Sequence, residues 1–513
     1  TNNKILGIAL GTSGPGATNL ITGISDCWLD NIPCLFFTGQ VNTHESKGDK
    51  KIKQQGFQEL DIVTIVSSIT KYAKKISNVN ELLPEINKAI DIAQEGRPGP
   101  VLLDIPMNIQ REVLDENQLN SLLSNSINCK ETCIIDLYYE VATISNEILS
   151  AKKPLVLLGG GAVNDDLLPD FLEKLHLLDV PYVASLKGCE NIIKTRNYFG
   201  MIGSYGKRVA NYALQNCDLL VVLGSRLDVR QTGSDCDDFA RNARIIQIDI
   251  DEHQLNNRIK ADKSLHMDTH NFYKEFIKLE SETTRHCDWI NLLIDKEQSF
   301  HFNEYKEFEL NPFDIFNLVN EKFKGVSVQF VCDVGNNQMW AAHSIELDKN
   351  QKMHHSGGLG AMGFAIPTSI GVQLASAAPV VSFSGDGGAH LNIQEIDIIA
   401  RENLPILTIV LNNRALGMVK NFQDMYFDGR NDSTYWESYS CDFVQIGKGY
   451  NLKSKKIKKL DELGLAIDEF IHNPQPMLLE IDIDSVRECR PRLSFGDRLD
   501  NQSPKLVEVH NYD

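Results

Sequence analysis

Apolar residues along this chain fall in short runs bounded by glycine, proline and polar turn residues, and the runs alternate with helix-patterned stretches. Strands are predicted at Lys4–Leu10 and Pro33–Thr38, then at Pro154–Leu158, Val180–Ala184, Asp218–Leu223 and Ala243–Ile248, and again at Val380–Ser384 and Pro405–Leu411. The segment GRPGPVLLDIP (Gly96–Pro106) reads as a turn followed by a further buried strand. Strand and helix in alternation is the pattern of parallel α/β domains, because a parallel pair needs a crossover long enough to hold a helix.

At 513 residues the chain is too long for one core, and the pattern divides it into three parallel-sheet α/β domains. The expected boundaries are 1–128 for the first domain with its linker, 129–285 for a central Rossmann-like domain and 306–485 for the third. Residues 486–513 form a charged tail expected to drape over a neighbouring surface. The polar stretch Glu112–Asn128 reads as linker, and the charged sequence Leu279–Tyr305 as the separator before the third domain. The chain opens without methionine, directly on an apolar strand. Its natural N-terminus is therefore expected upstream, with the first domain N-terminally incomplete.

Composition narrows the function classes. Hydrophobic residues at 42% and charged residues at 23% are ordinary for a globular protein, and a net charge of -18 argues against a nucleic-acid-binding surface. No apolar run is long enough to span a bilayer and no signal peptide is visible, so no membrane role is expected and a cytoplasmic enzyme is. The eleven cysteines are scattered without the paired spacing of a zinc site and read as free thiols of a reducing compartment.

The densest chemical signal is PVVSFSGDGGAHLNIQEIDIIARENLPILTIVLNN, Pro379–Asn413. A buried strand ends in Gly385-Asp386-Gly387-Gly388. Asn392 and Glu395 are then expected to form an N-cap and N3 pair opening a helix with Ile393, Ile396 and Ile399 on its apolar side. A second buried strand ends in Asn412-Asn413. A strand–helix–strand crossover is parallel, so Asp386 and Asn413, 27 residues apart, leave the same carboxyl edge of the sheet. A carboxylate beside an amide oxygen suits Mg²⁺, which takes few protein ligands and completes its octahedron with water and phosphate oxygens. Glycines after Asp386 let backbone amides approach a diphosphate. The bland alternative is a glycine-rich turn between core strands with Asp386 merely capping a helix.

This stretch resembles the thiamine-diphosphate motif, and the flanking sequence resembles the acetolactate synthase branch of that enzyme family. The likeness is carried by GTSGPGATNLITG (11–23), FTGQV (37–41), GFQE (56–59), SITKYA (68–73), LGGGAV (158–163), GSRLDVRQTG (224–233), DVGNNQMWAA (333–342), SGGLGAMGFAIP (356–367) and LGMV (416–419). The resemblance implies Mg²⁺ on Asp386, Asn413 and the main-chain carbonyl of Ala415. It implies thiamine diphosphate on Gly335, Asn336, Asn337, Gly385, Gly387, Gly388, Gly417 and Met418, with the Gly360 carbonyl bonded to the aminopyrimidine and Met362 propping the bent cofactor. The family's glutamate that bonds the pyrimidine would precede Thr1. It also implies a homodimer or homotetramer.

For the substrate the resemblance points to a 2-oxo acid near Phe57, Gln58, Lys71, Met418 and Phe422. A catalytic role for His354 or His355 stands against a structural one. In the central domain, Gly159, Gly160, Gly161, Gly224, Arg226, Asp228, Arg230 and Asp249 match flavin-contacting positions. FAD is thus an expectation there, against a Rossmann-like domain that has lost its nucleotide. Phe422 stands where the branched-chain enzymes carry tryptophan, Asn336-Asn337 replaces their Gln-His pair, and the loop NTHESKGDKKIKQQ (42–55) is longer than theirs. The implied activity is decarboxylation of pyruvate and carboligation of its two-carbon unit to a second carbonyl compound. One alternative is a carboligase acting on a keto sugar in surface-polysaccharide biosynthesis, and another is an inactive cofactor-binding regulatory subunit.

Overall fold

The computed structural model describes residues 6–114, 135–279, 285–301, 304–436, 439–483, 486 and 488–506. Most of the expected linker 112–128 lies outside these residues, as does the start of the strand expected at Lys4–Leu10. Two compact units are present: residues 1–133 with 356–361, and residues 134–355 with 362–513. The described strands form three sheets, and every pairing in them is parallel.

The first unit holds β1 (Gly7–Gly11), β2 (Cys34–Gln40), β3 (Tyr72–Lys75) and β4 (Pro100–Pro106) in the order β1-β2-β4-β3. Successive side chains of a strand point to opposite faces. Leu35, Val101 and Leu103 accordingly pack with Ala89 and Ala93 of helix Val79–Gln94, while Phe36 and Leu102 pack with Ile24, Ile62 and Val66 on the other side. Residues 356–361 join this unit through helix Ile21–Asp30. The Ser356 hydroxyl donates to Asp26, and the amides of Gly357 and Gly358 donate to Asp30.

The second unit carries two six-stranded sheets. One comprises β5 (Pro154–Leu158), β6 (Tyr182–Ala184), β7 (Tyr198–Met201), β8 (Leu219–Leu223), β9 (Arg244–Asp249) and β10 (Lys263–His266), ordered β10-β9-β8-β5-β6-β7. The other comprises β11 (Gln329–Cys332), β12 (Lys352–His355), β13 (Val380–Gly385), β14 (Ile406–Asn412), β15 (Lys453–Ile457) and β16 (Met477–Asp482), ordered β12-β11-β13-β14-β16-β15. Helices cover both faces of β13 and β14, which is why their apolar runs do not alternate with polar residues.

Two expectations require correction. The charged segment Leu279–Tyr305 is not a plain separator. Residues Cys287–Phe300 form a helix whose Trp289, Ile290 and Leu293 are buried in the core of the β5–β10 sheet, with its charges left on the outer face. Asn392 and Glu395 do not form a capping pair. The Asn392 side-chain amide donates instead to the Gly363 carbonyl, and a single 3₁₀ turn, Ile393–Glu395, leads into helix Ile396–Arg401. Ile396 and Ile399 are nevertheless buried as expected. The tail packs within its own unit. Leu493 N–H donates to the Ser204 carbonyl, Gln502 donates to the Gly206 carbonyl, and Leu499 is 2% exposed. No helix among the described residues is long and apolar enough to cross a membrane.

Candidate active site

The carboxyl edge of the third sheet is where the sequence placed its chemistry. Gly385 pairs with Leu411 in the β13–β14 ladder, so Asp386 and Asn413 leave the sheet side by side. Helix Asp386–Leu391 begins at Asp386 itself, with no intervening loop. The Asp386 carboxyl is 6% exposed and accepts backbone N–H bonds from Gly387, Ala415 and Arg414, which sets it against the segment that follows Asn413. Burial lifts its pKa to about 7 in spite of those bonds. No cationic side chain pairs with it among the described residues.

Asn412 and Asn413 have separate duties. Asn412 turns into the sheet and donates to Glu480 and the Ser440 hydroxyl. Asn413 donates through Nδ2 to the Val486 carbonyl, and its Oδ1 accepts from Ala415 N–H at 3.2 Å. Ala415 bridges antiparallel to Tyr435, but the two bonds of that bridge run Leu416 N–H to Thr434 and Trp436 N–H to Arg414. In such a pair the residue's own carbonyl points away from its partner strand. The Asp386 carboxylate and the Asn413 amide oxygen thus both accept from Ala415 N–H at one corner.

Beside them, Gly335 (φ 137°) begins helix Asn336–Ser344, whose first residues Asn336 and Asn337 are buried. Asn337 Nδ2 donates to the Asp333 and Phe383 carbonyls, and its Oδ1 lies 3.6 Å from where a Cβ on Gly385 would stand. Two glycines here are crowded, Gly387 by the ends of flexible side chains and Gly388 by a carboxylate that is held in place. A Cβ on Gly387 would meet Leu416 at 2.4 Å and Met362 at 3.4 Å, and one on Gly388 would meet Asp333 Oδ1 at 2.6 Å. Gly417 and Met418 open helix Gly417–Tyr426, which continues to a 55% exposed Phe422 whose ring packs on Tyr426 and Phe427.

Asp333 was not singled out from the sequence. It is fully buried, and its Oδ1 accepts from Val334 N–H at 2.8 Å and Gly363 N–H at 2.9 Å, while Oδ2 accepts from Ala365 N–H at 3.0 Å. The Ser384 hydroxyl bonds it as well. Burial raises its pKa against these four donors. One carboxylate thereby ties the ends of β11 and β13 to the loop after Met362. The available signal was an acid placed directly after an apolar strand and two residues before Gly335.

The remaining expected residues fall elsewhere. Phe57 and Gln58 line a cavity of about 760 Å³ in the first unit, together with Ser13, Gln40, His44 and Gln110. Lys71 is not among the residues lining it and donates to the Glu95 carbonyl. Gly360 (φ 71°) belongs to the first unit, its amide bonded to Ser356 Oγ, and Met362 to the second. His354 and His355 sit on β12, the first half-buried and the second buried, and desolvation pushes both pKa values down.

In the β5–β10 sheet, the order reverses between β5 and β8, and Gly159, Gly224 and Asp249 end neighbouring strands there. A Cβ on Gly159 would stand 2.1 Å from the Gly224 carbonyl oxygen. The amides of Gly159 and Gly161 are already bonded to Leu223 and Gly224, leaving Gly160 between them. Arg226, Asp228 and Arg230 follow Gly224. The Asp228 carboxylate caps Val229–Thr232, and Arg230 reaches Met339 Sδ at 3.6 Å.

Fold and edge together define a parallel α/β enzyme of the kind that holds a phosphate-bearing cofactor at its strand ends. Models of the thiamine pyrophosphate enzymes match in three parts: the N-terminal TPP binding domain over residues 1–65, the central domain over 141–276 and the C-terminal TPP binding domain over 333–481. The chain is 32% identical over 494 residues to the acetolactate synthase isozyme 2 large subunit of Escherichia coli, covering 96% of this chain and 86% of the relative. It is 31% identical over 511 residues to the acetolactate synthase large subunit of Lactococcus lactis, covering 98% and 85%. It is also 32% identical over 510 residues to the chloroplastic acetolactate synthase 1 of Oryza sativa, covering 96% and 77%. The chain therefore belongs to the thiamine pyrophosphate enzymes, and within them to the acetolactate synthase large-subunit family.

Proposed function

We propose that this enzyme decarboxylates pyruvate and joins the remaining two-carbon unit to a second carbonyl compound, using thiamine diphosphate and Mg²⁺. The carrying observation is Asp386: a buried carboxyl without a cationic partner among the described residues, set against the Asn413–Ala415 segment at the sheet edge. A hard dication fits that donor set, with Asp386, Asn413 and the Ala415 carbonyl as ligands. Gly335, Asn336, Asn337, Gly385, Gly387 and Gly388 would face the diphosphate, where a Cβ at 388 would press on the Asp333 carboxylate. Met362, beside Gly387, would support the cofactor together with Gly417 and Met418. Bound thiamine diphosphate supplies the electron sink for losing CO₂. The protein's part is to hold the donor with its carboxylate leaving and its acyl carbon facing the acceptor carbonyl, where the new C–C bond forms.

Incubating the full-length protein with pyruvate, Mg²⁺ and thiamine diphosphate should release CO₂ and yield acetolactate or another ligation product. Absence of CO₂ from any short 2-oxo acid refutes the reading. Asp386→Ala should abolish Mg²⁺-dependent cofactor binding in calorimetry; unchanged affinity would overturn the metal assignment.

A second acceptor reading, a keto sugar, is favoured by the cavity beside Phe57 and Gln58. Its volume lies in the range that encloses a drug-sized ligand, well beyond a four-carbon acid. Phe422 in place of a larger indole also weakens any selection for one extra methylene, which is worth about 1–3 kcal/mol at most. FAD is proposed at the β5–β8 crevice, where two arginines and Asp249 flank the strand ends and Gly160 retains the amide for a diphosphate. A cytoplasmic homodimer is proposed as the working form. Exposed Ile8, Leu10 and Ile65 on the first unit support it, and light scattering after gel filtration tests it.

A further inference from the structure

The long loop between β2 and helix Ile62–Val66 has little apolar anchorage of its own. Residues Gly48–Gln55 are exposed, and their largest apolar side chain, Ile52, is 47% exposed. Its shape is set from outside by one carboxylate. Glu59 Oε1 accepts from the Ser46 hydroxyl and Lys47 N–H, both at 2.7 Å, and Oε2 accepts from Gln55 N–H at 2.9 Å and Gly56 N–H at 3.2 Å. Both ends of the loop are thus clasped by the same group. Burial alone would raise the Glu59 pKa, but the bonds from Ser46, Gln55, Lys47 and Gly56 outweigh it and hold it at about 2.

What the clasp holds is a wall. His44, Glu45, Gln55, Gly56, Phe57 and Gln58 line the 760 Å³ cavity together with Thr12, Ser13 and Gln110. The wall is under backbone strain at the cavity: Gln58, next to Glu59, has φ 63° and backs on Gly14, where a Cβ would stand 3.0 Å from it. Such strain persists only where the surroundings over-determine it. Gly56 is pinned in turn against Val41. The lining is rich in neutral hydrogen-bonding groups, with the 85% exposed Phe57 ring at its edge. That chemistry suits a hydroxylated carbonyl compound, whose OH groups meet amides and hydroxyls and whose C–H faces meet an aromatic ring.

We propose that Glu59 is a positioning residue for acceptor choice: by clasping the loop Ser46–Gly56 it shapes the cavity wall that admits a polyhydroxylated carbonyl acceptor. This rests on the carboligase reading above and goes beyond it by naming what selects the acceptor. Glu59 is not among the residues that line the cavity, so its loss acts there through the loop.

The test uses full-length wild type, Glu59→Gln and Ser46→Ala, the last removing one of the four bonds. Trypsin cleavage at Lys50, Lys51 and Lys53 reads the loop, and competition between pyruvate and erythrulose as acceptors reads selection. Glu59→Gln is expected to speed loop cleavage at least tenfold and raise the erythrulose KM at least tenfold. CO₂ release from pyruvate and the Kd for thiamine diphosphate should stay within twofold, and Ser46→Ala should fall between. Faster cleavage with an unchanged acceptor ratio overturns the proposal, as does unchanged cleavage. Wild type that ligates pyruvate but never erythrulose overturns the acceptor class. Wild type that releases no CO₂ from pyruvate instead refutes the underlying activity, a distinct result. If Glu59→Gln does not fold, Ser46→Ala carries the same two readouts and the same criteria.

Discussion

Asp333→Asn is the substitution whose consequences the structure defines most sharply. The wild-type carboxylate serves three buried amides and a hydroxyl, two of the amides on Oδ1 and one on Oδ2. An asparagine side chain has a single acceptor oxygen. Its cheaper orientation keeps that oxygen on Val334 and Gly363 and turns NH₂ toward the Ala365 N–H, so two donors face each other. Leaving that buried amide unsatisfied costs about 1–3 kcal/mol, and the surviving bonds lose their charge assistance. An amide is cheaper to bury than a carboxylate whose pKa burial already raises, which offsets part of the loss. A net cost of about 1–3 kcal/mol follows. It falls on the Gly363–Ala365 loop next to Met362, so cofactor affinity should weaken roughly 5- to 150-fold. The assays are calorimetric titration with thiamine diphosphate in saturating Mg²⁺ and thermal unfolding of the cofactor-free protein. Wild-type affinity with a wild-type melting temperature would refute the reasoning. A lowered melting temperature with unchanged affinity would show that Asp333 serves the fold and not the cofactor loop.

Gly388→Ala should weaken thiamine diphosphate binding, since its Cβ would press within 2.6 Å of a carboxylate that three amides hold in place. Overpacking of this kind costs about 1–3 kcal/mol, and a wild-type Kd would contradict the crowding. Arg226→Ala should bleach the yellow flavin colour expected of the purified protein, by removing a charge-assisted diphosphate contact. A colourless wild type that takes up no added FAD would remove the flavin alone. Glu59 is an acid with a depressed pKa, so its clasp is complete above the ordinary glutamate range and fails only as pH falls through about 2. Hydrogen exchange should therefore find the Lys47, Gln55 and Gly56 amides protected at mildly acidic pH in wild type but not in Glu59→Gln; early loss in wild type would refute the assignment.

Much of the sheet architecture follows from local pattern. β5, β13 and β14 coincide with predicted runs to within one residue, because strands buried on both faces are written as unbroken apolar sequence. The pairing of Asp386 with the Asn412-Asn413 edge was also readable, since a strand–helix–strand crossover allows only one direction. Short or half-exposed strands were not. β7 and β10, YFGM and KSLH, lack a long apolar run and exist because longer neighbours offer them a ladder. Charge hid the helix Cys287–Phe300, whose buried face is only Trp289, Ile290 and Leu293 within a mostly polar stretch. Partners distant in sequence decided the rest. The Gly363 carbonyl took the Asn392 amide from its expected cap, and Asp333 became a hub only when Gly363 and Ala365, thirty residues on, were brought to it. Residue types and local spacing determined which groups of this protein could meet a metal or a diphosphate. Only the tertiary structure decided which of them are buried, which donors they have already spent on the protein, and where a Cβ leaves no room, because each of those depends on atoms that the chain brings together from afar.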